Sequence, residues 1–159
     1  MIKQLTFKKT IKMKTTIENK KEASVLLAEF LTSIGAGDPK VTASYFTPEG
    51  YIDAPYVESL GMPAKIVGPA AIEVTMSNIK KIAPNFHFTS IKIILETPTE
   101  VVAEYESEAL MANGRPYKQL YMGHLISKDG KILSHREFIN TIVFVEAFFP
   151  NGLKDLIAN

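Results

Sequence analysis

Two residues of one short run have side chains suited to moving a proton: His135 and Glu137, in Ile132-Leu133-Ser134-His135-Arg136-Glu137-Phe138-Ile139-Asn140. In an extended strand, alternate side chains share a face, so Leu133, His135, Glu137 and Ile139 point one way and Ser134, Arg136, Phe138 and Asn140 the other. A carboxylate turned into an apolar concavity is desolvated, which raises its pKa toward the range where it can both give and take a proton. The alternative is a structural role, with Glu137 paired to a cation or solvated beside His135. Two residues on the preceding run, Gln119 and Tyr121, share a parity. They could supply an amide and a phenol to a bound carbonyl, the polarising half of enolisation chemistry, or Tyr121 could pack with its hydroxyl at the rim. Asp53, in Tyr51-Ile52-Asp53-Ala54-Pro55-Tyr56, is either a base at a pocket rim or a turn residue. His87 and His124 are placed in strands as structural histidines. No two or three histidines fall at metal-ligand spacing on one helix, and no phosphate loop, nucleophile elbow or dinucleotide fingerprint occurs. The expectation is a protein without metal or cofactor.

These residues need elements to hold them. Ala23, Leu26, Leu27, Phe30, Leu31 and Ile34 recur at helical spacing until Gly35-Ala36-Gly37, predicting an amphipathic helix. Asp38-Pro39 caps a second, shorter helix through Phe46, which Thr47-Pro48-Glu49-Gly50 closes as a turn. Tyr51 to Pro55 reads as a short strand and Tyr56 to Met62 as a loop. A third helix follows Gly68-Pro69 with Ile72, Met76, Ile79 and Ile82 as its stripe. From Phe86 the period becomes two. Strands over 86–96, 99–111, 117–127 and 132–145, joined by Thr97-Pro98, Asn113-Gly114 and Asp129-Gly130, make an antiparallel meander. Glu104, Glu106 and Glu108 alternate with apolar residues and form a solvated face, the alternative being an acidic metal cluster. The last strand is apolar through Phe149, which predicts cover on both faces.

Helices first and a meander afterwards give an α+β domain, a curved antiparallel sheet packed against about three N-terminal helices and enclosing a pocket. A chain of 159 residues, 46% hydrophobic and 22% charged, is one globular domain. It has no apolar run of membrane-spanning length. With no cysteine it has no disulfide frame, which favours a reducing, cytoplasmic setting. Residues 1–21 hold seven lysines against one glutamate, so this segment is +6 and the rest −5 within a total of +1. An acidic body argues against nucleic acid. The basic start lacks the apolar core of a signal peptide. Residues 1–20 are expected to be a disordered extension, with Met13 an internal translation start, and residues 21–159 a single domain.

The order helix, Gly-Asp-Pro, Tyr-Phe-Thr-Pro-Glu-Gly, Ile-Val-Gly, Asp-Gly-Lys-Ile and then His-Arg-Glu-Phe-Ile-Asn resembles the SnoaL-like group of the nuclear-transport-factor-2-like superfamily over about residues 22–150. It is most similar to the phenazine-biosynthesis A/B family. The resemblance implies a cone-shaped α+β barrel with a deep pocket, dimeric through the outer sheet face, in a superfamily that includes ketosteroid isomerases, polyketide cyclases and non-catalytic binders. It places Glu137 on the family's pocket acid. The family's pocket histidine falls on Thr75 and its serine on Ile79, so a more apolar ligand than a phenazine precursor is implied. With Tyr56 and Met76, these complete the candidate ligand contacts. The two functional readings are an acid–base isomerase or cyclase acting on a small apolar carbonyl compound, and a non-catalytic binding or scaffold protein, in either case a homodimer.

Overall fold

The computed structural model describes residues 21–157. The expected basic extension, residues 1–20, lies outside the described residues. The element order is α1 (Ala23–Ala36), α2 (Pro39–Ser44), β1 (Phe46–Asp53), a 3-10 turn (Pro55–Leu60), β2 (Lys65–Val67), α3 (Pro69–Ile82), β3 (His87–Glu96), β4 (Glu100–Leu110), β5 (Pro116–Lys128), β6 (Lys131–Ile139), α4 (Thr141–Phe148) and α5 (Lys154–Ile157).

Six strands form one sheet in the order β2-β1-β6-β5-β4-β3. The meander is antiparallel, while β1 runs parallel to β6. The sheet stays open, with β2 and β3 at its edges, so the cone implied by the resemblance is an open, curved sheet covered by helices. Helix α1 buries Ala23, Leu26, Leu27, Phe30 and Leu31 against the inner face, on Val101, Ala103 and Tyr105 of β4 and Tyr121 and Leu125 of β5. Removing any one of these leucines would cost about 2–5 kcal/mol. The Asp38 side chain accepts from the Lys40 and Val41 amides and so starts α2. No helix among the described residues is long and apolar enough to cross a membrane.

Four local expectations are corrected. Thr47-Pro48-Glu49-Gly50 is no turn: the strand begins at Phe46, and its pairing with β6 shifts register between Phe46 and Tyr51. Turn-forming residues are thus absorbed into an irregular strand. A Cβ at Gly50 would lie 2.6 Å from the Ile132 carbonyl oxygen, so the approach of β1 to β6 requires glycine there. Tyr56 to Met62 is largely a 3-10 turn rather than an open loop. Leu133 does not join the His135 face. Ile126 pairs with Ser134 and Ser127 with Ile132, leaving Leu133 as the extra residue of a bulge while Ile132 enters the core.

The fourth correction matters most for the site. The last strand ends at Ile139, not Val145, because the Asn140 side chain accepts from the Ile142 and Val143 amides and starts α4. Gln119 fixes the break from β5, accepting the Asn140 N–H at 3.1 Å and donating to its carbonyl at 3.0 Å. A continuously apolar segment fits a buried helix as well as a buried strand, and the cap decides between them. Ile142 and Phe144 are therefore not on the outer sheet face.

Candidate functional site

Between the inner face of the sheet and helices α1, α3 and α4 lies a cavity of about 340 Å³. Its walls are mostly apolar: Phe30 and Ile34 from α1, Met76, Ile79 and Ile82 from α3, and Phe144 and Phe148 from α4. Those last two rings stack at 4.4 Å. Among the described residues, no lysine or arginine lines it.

The polar groups come from the sheet. His135, Glu137 and Ile139 share the inner face of β6, and all three line the cavity. The Glu137 side chain keeps 16% exposure, and desolvation pushes its pKa up to about 7 against an opposing hydrogen bond from Tyr105. Tyr105 donates to Glu137 Oε1 at 2.6 Å, and its oxygen lies 3.0 Å from His135 Nε2. It reaches β6 from β4 by lying across β5 at Gly123, the residue paired with Glu137. Burial, then the charge of Glu137, holds the Tyr105 phenol well above its usual range. His135 is 1% exposed, and its Nδ1 has no hydrogen-bond partner among the described residues. Burial lowers its pKa to about 3, so at neutral pH the ring is uncharged. Its 3.8 Å approach to Glu137 is consequently no ion pair.

A second hydroxyl cluster lies along β5. Tyr121 Oη is 2.9 Å from Ser107 Oγ and 3.1 Å from Tyr117 Oη. Ser107 is buried, and Tyr121 is its sole hydrogen-bond partner among the described residues. If Ser107 accepted, its own proton would be buried without an acceptor, at a cost of about 1–3 kcal/mol. The chain therefore runs from Ser107 to Tyr121 to Tyr117. This leaves the Tyr117 proton unused at the cavity wall. Desolvation lifts the Tyr117 phenol to about 12, so it stays a neutral donor.

Of the residues singled out in the sequence, Glu137, His135, Tyr121, Thr75, Met76 and Ile79 line the cavity. The Thr75 hydroxyl turns back to the Ala71 carbonyl at 2.9 Å. Gln119, Asp53 and Tyr56 do not line it. Gln119 spends its amide on the β6–α4 junction. Strand alternation puts Ile52 inside and Asp53 outside, where both Nε and Nη2 of Arg136 hold its Oδ2, at 2.9 and 2.8 Å. Tyr56 is exposed and packs on Phe138, outside the sheet. His124 is half exposed beside Glu100, and His87 contacts the Asn85 carbonyl. Tyr105, Tyr117 and Ser107 were legible only as members of the inward parity of β4 and β5. Nothing in the sequence marked them further.

Residues 27–135 match the family model of the SnoaL-like domain. The protein YesE of Bacillus subtilis (strain 168), itself uncharacterized, is 26% identical over 135 residues, 84% of this chain and 91% of YesE. Among solved structures, a phenazine biosynthesis-related protein from Pseudomonas aeruginosa superposes with a TM-score of 0.68 at 19% identity, over 79% of this chain and 83% of the other. BvnE pinacolase from Penicillium brevicompactum does so with a TM-score of 0.68 at 21% identity, over 85% and 95%. At such identities these two structures speak for the fold alone. The six-stranded open sheet has the fold of ketosteroid isomerase-like proteins, and a family match across most of its length places the chain in the SnoaL-like domain family.

Proposed function

We propose that the protein is a cofactor-independent acid–base enzyme of isomerase or cyclase type, moving a proton next to the carbonyl of a small, neutral, mostly apolar compound. The observation that carries this reading is Glu137: a carboxyl without a cationic partner among the described residues, facing an apolar cavity, with a pKa of about 7. A base poised near the working pH is the efficient choice for proton transfer. Tyr117, rather than Tyr121 or Gln119, supplies the hydrogen bond to the carbonyl oxygen as charge develops there. A wall without lysine or arginine disfavours an anionic ligand, whose charge would also press the Glu137 proton on.

A second reading, ligand binding without turnover, is favoured by α3, where Thr75 has its hydroxyl engaged and Ile79 offers only hydrocarbon. Mass spectrometry of co-purified small molecules identifies what the cavity holds. Proton NMR in D₂O with a panel of apolar cyclic ketones then separates the readings. Deuterium uptake next to the carbonyl, abolished by Glu137→Gln, supports the enzyme. Binding without exchange supports the binder.

The protein is also proposed to act as a homodimer through the outer sheet face, where Leu120 and Met122 are exposed and Phe138 lies beside them. A solvated sheet face is ordinarily polar.

A further inference from the structure

We infer that His135 and Tyr105 are positioning residues that form a one-way hydrogen-bond chain, His135 Nε2–H to Tyr105 O–H to Glu137 Oε1, which fixes one carboxyl oxygen and reserves Oε2 for proton transfer. The inference rests on the proposal that Glu137 carries the transferred proton, but its geometry can be tested without any substrate.

The direction follows from counting protons. Tyr105 has one, and its oxygen lies between two groups, Glu137 Oε1 at 2.6 Å and His135 Nε2 at 3.0 Å. An ionised carboxylate has no proton to offer, so the phenol proton must point at Glu137. Otherwise two oxygen lone pairs would face each other at 2.6 Å. The Tyr105 oxygen then accepts, and the group facing it at 3.0 Å must be an N–H. His135 therefore carries its proton on Nε2, and Nδ1 is left bare. That is the nitrogen found buried without a partner. An unmatched acceptor is tolerated in an interior more readily than an unmatched N–H.

The arrangement cannot reverse. Protonating Oε1 would turn the phenol toward His135, which would then have to hold its proton on Nδ1. Phe30 packs edge-on against the ring at 5.0 Å, and among the described residues no acceptor or donor meets Nδ1. With that end closed, a proton arriving at Glu137 goes to Oε2, which makes no hydrogen bond among the described residues. The chain is a fixed support and not a relay. His135 does not exchange a proton with the ligand.

Nitrogen-15 NMR of the histidine rings in the full-length protein tests this directly, with His135 assigned by its loss in His135→Gln. The expected result is one neutral tautomer, protonated on Nε2, from about pH 5 to about pH 9. Carboxyl-detected titration of Glu137 supplies the second readout. Tyr105→Phe should raise its midpoint by about one pH unit. His135→Gln keeps an amide donor near the position of Nε2 and should hold the wild-type midpoint, whereas His135→Phe should raise it. Thermal unfolding of each variant establishes that it is folded. A proton on Nδ1, a tautomer change as Glu137 titrates, or an unmoved midpoint in Tyr105→Phe would overturn the inference. Failure of the proposed function leaves a different trace, an intact Nε2–H tautomer in a protein that exchanges no ketone proton.

Discussion

Gly123 is the opening through which Tyr105 reaches Glu137: a Cβ built on Gly123 would lie 2.3 Å from the phenol oxygen and 2.6 Å from Cε1. Its backbone is ordinary, so the constraint is steric. Gly123→Ala should push the ring off β5, lengthen its bond to Glu137 and raise the Glu137 midpoint, with an overpacking cost of about 1–3 kcal/mol. Urea unfolding and carboxyl titration check the two effects. A variant of wild-type stability and midpoint would contradict this.

Stability should have opposite pH slopes from His135 and Glu137, the two titratable residues that β6 turns toward the cavity. The folded pKa of Glu137, about 7, lies above its ordinary 4.5. The folded protein therefore holds more protons in between, and stability falls as pH rises across that window. His135 is lowered from 6.5 to about 3, so the unfolded chain holds more protons there and stability falls as pH drops. The slopes cancel where the windows overlap. Glu137→Gln removes one of them, and relative to the wild type it should gain roughly 3 kcal/mol between about pH 4.5 and about pH 8. Denaturant midpoints across this range measure it. A pH-independent difference would count against a raised Glu137.

Asn140 caps α4, whose Phe144 and Phe148 form part of the cavity wall. Asn140→Ala should cost about 1 kcal/mol and loosen the wall, read as increased binding of an apolar fluorescent dye. Asn140→Ser retains a capping oxygen and should restore most of the loss. If serine and alanine behave alike, the cap is not what ends β6.

Arg136 and Asp53 are predicted to matter for stability alone. Arg136→Leu leaves Asp53, 5% exposed, without its cation. The guanidinium side is half exposed, so the loss should be about 1–2 kcal/mol, below that of a fully buried pair. The Glu137 midpoint should not move, because the pair lies on the opposite face. A shifted midpoint would tie Asp53 to the site after all.

For the homodimer, sedimentation at micromolar concentration should give twice the chain mass, and Met122→Glu should weaken the association about tenfold or more. A monomeric wild type would refute the outer-face interface.

The sequence by itself determined what depends on neighbours along the chain. The spacing of Leu26, Leu27, Phe30 and Leu31 specifies α1, Asp38-Pro39 specifies the start of α2, and Asp129-Gly130 takes the positive φ values, 52° and 76°, that its hairpin needs. Period-two alternation likewise set His135 and Glu137 on one face and Arg136 on the other. Tertiary structure decided what depends on groups far apart in the chain. An apolar run from Ile142 to Phe149 suits either a strand or a helix, and Gln119, twenty-one residues before Asn140, helps fix the change. Asp53 became the paired carboxylate and Glu137 the unpaired one because β1 lies beside β6 in parallel, bringing Asp53 opposite Arg136. Tyr105 entered the site only because Gly123, from a different strand, leaves it room. Such relations arise from cross-strand register, and local pattern carries no record of which residue will stand opposite which.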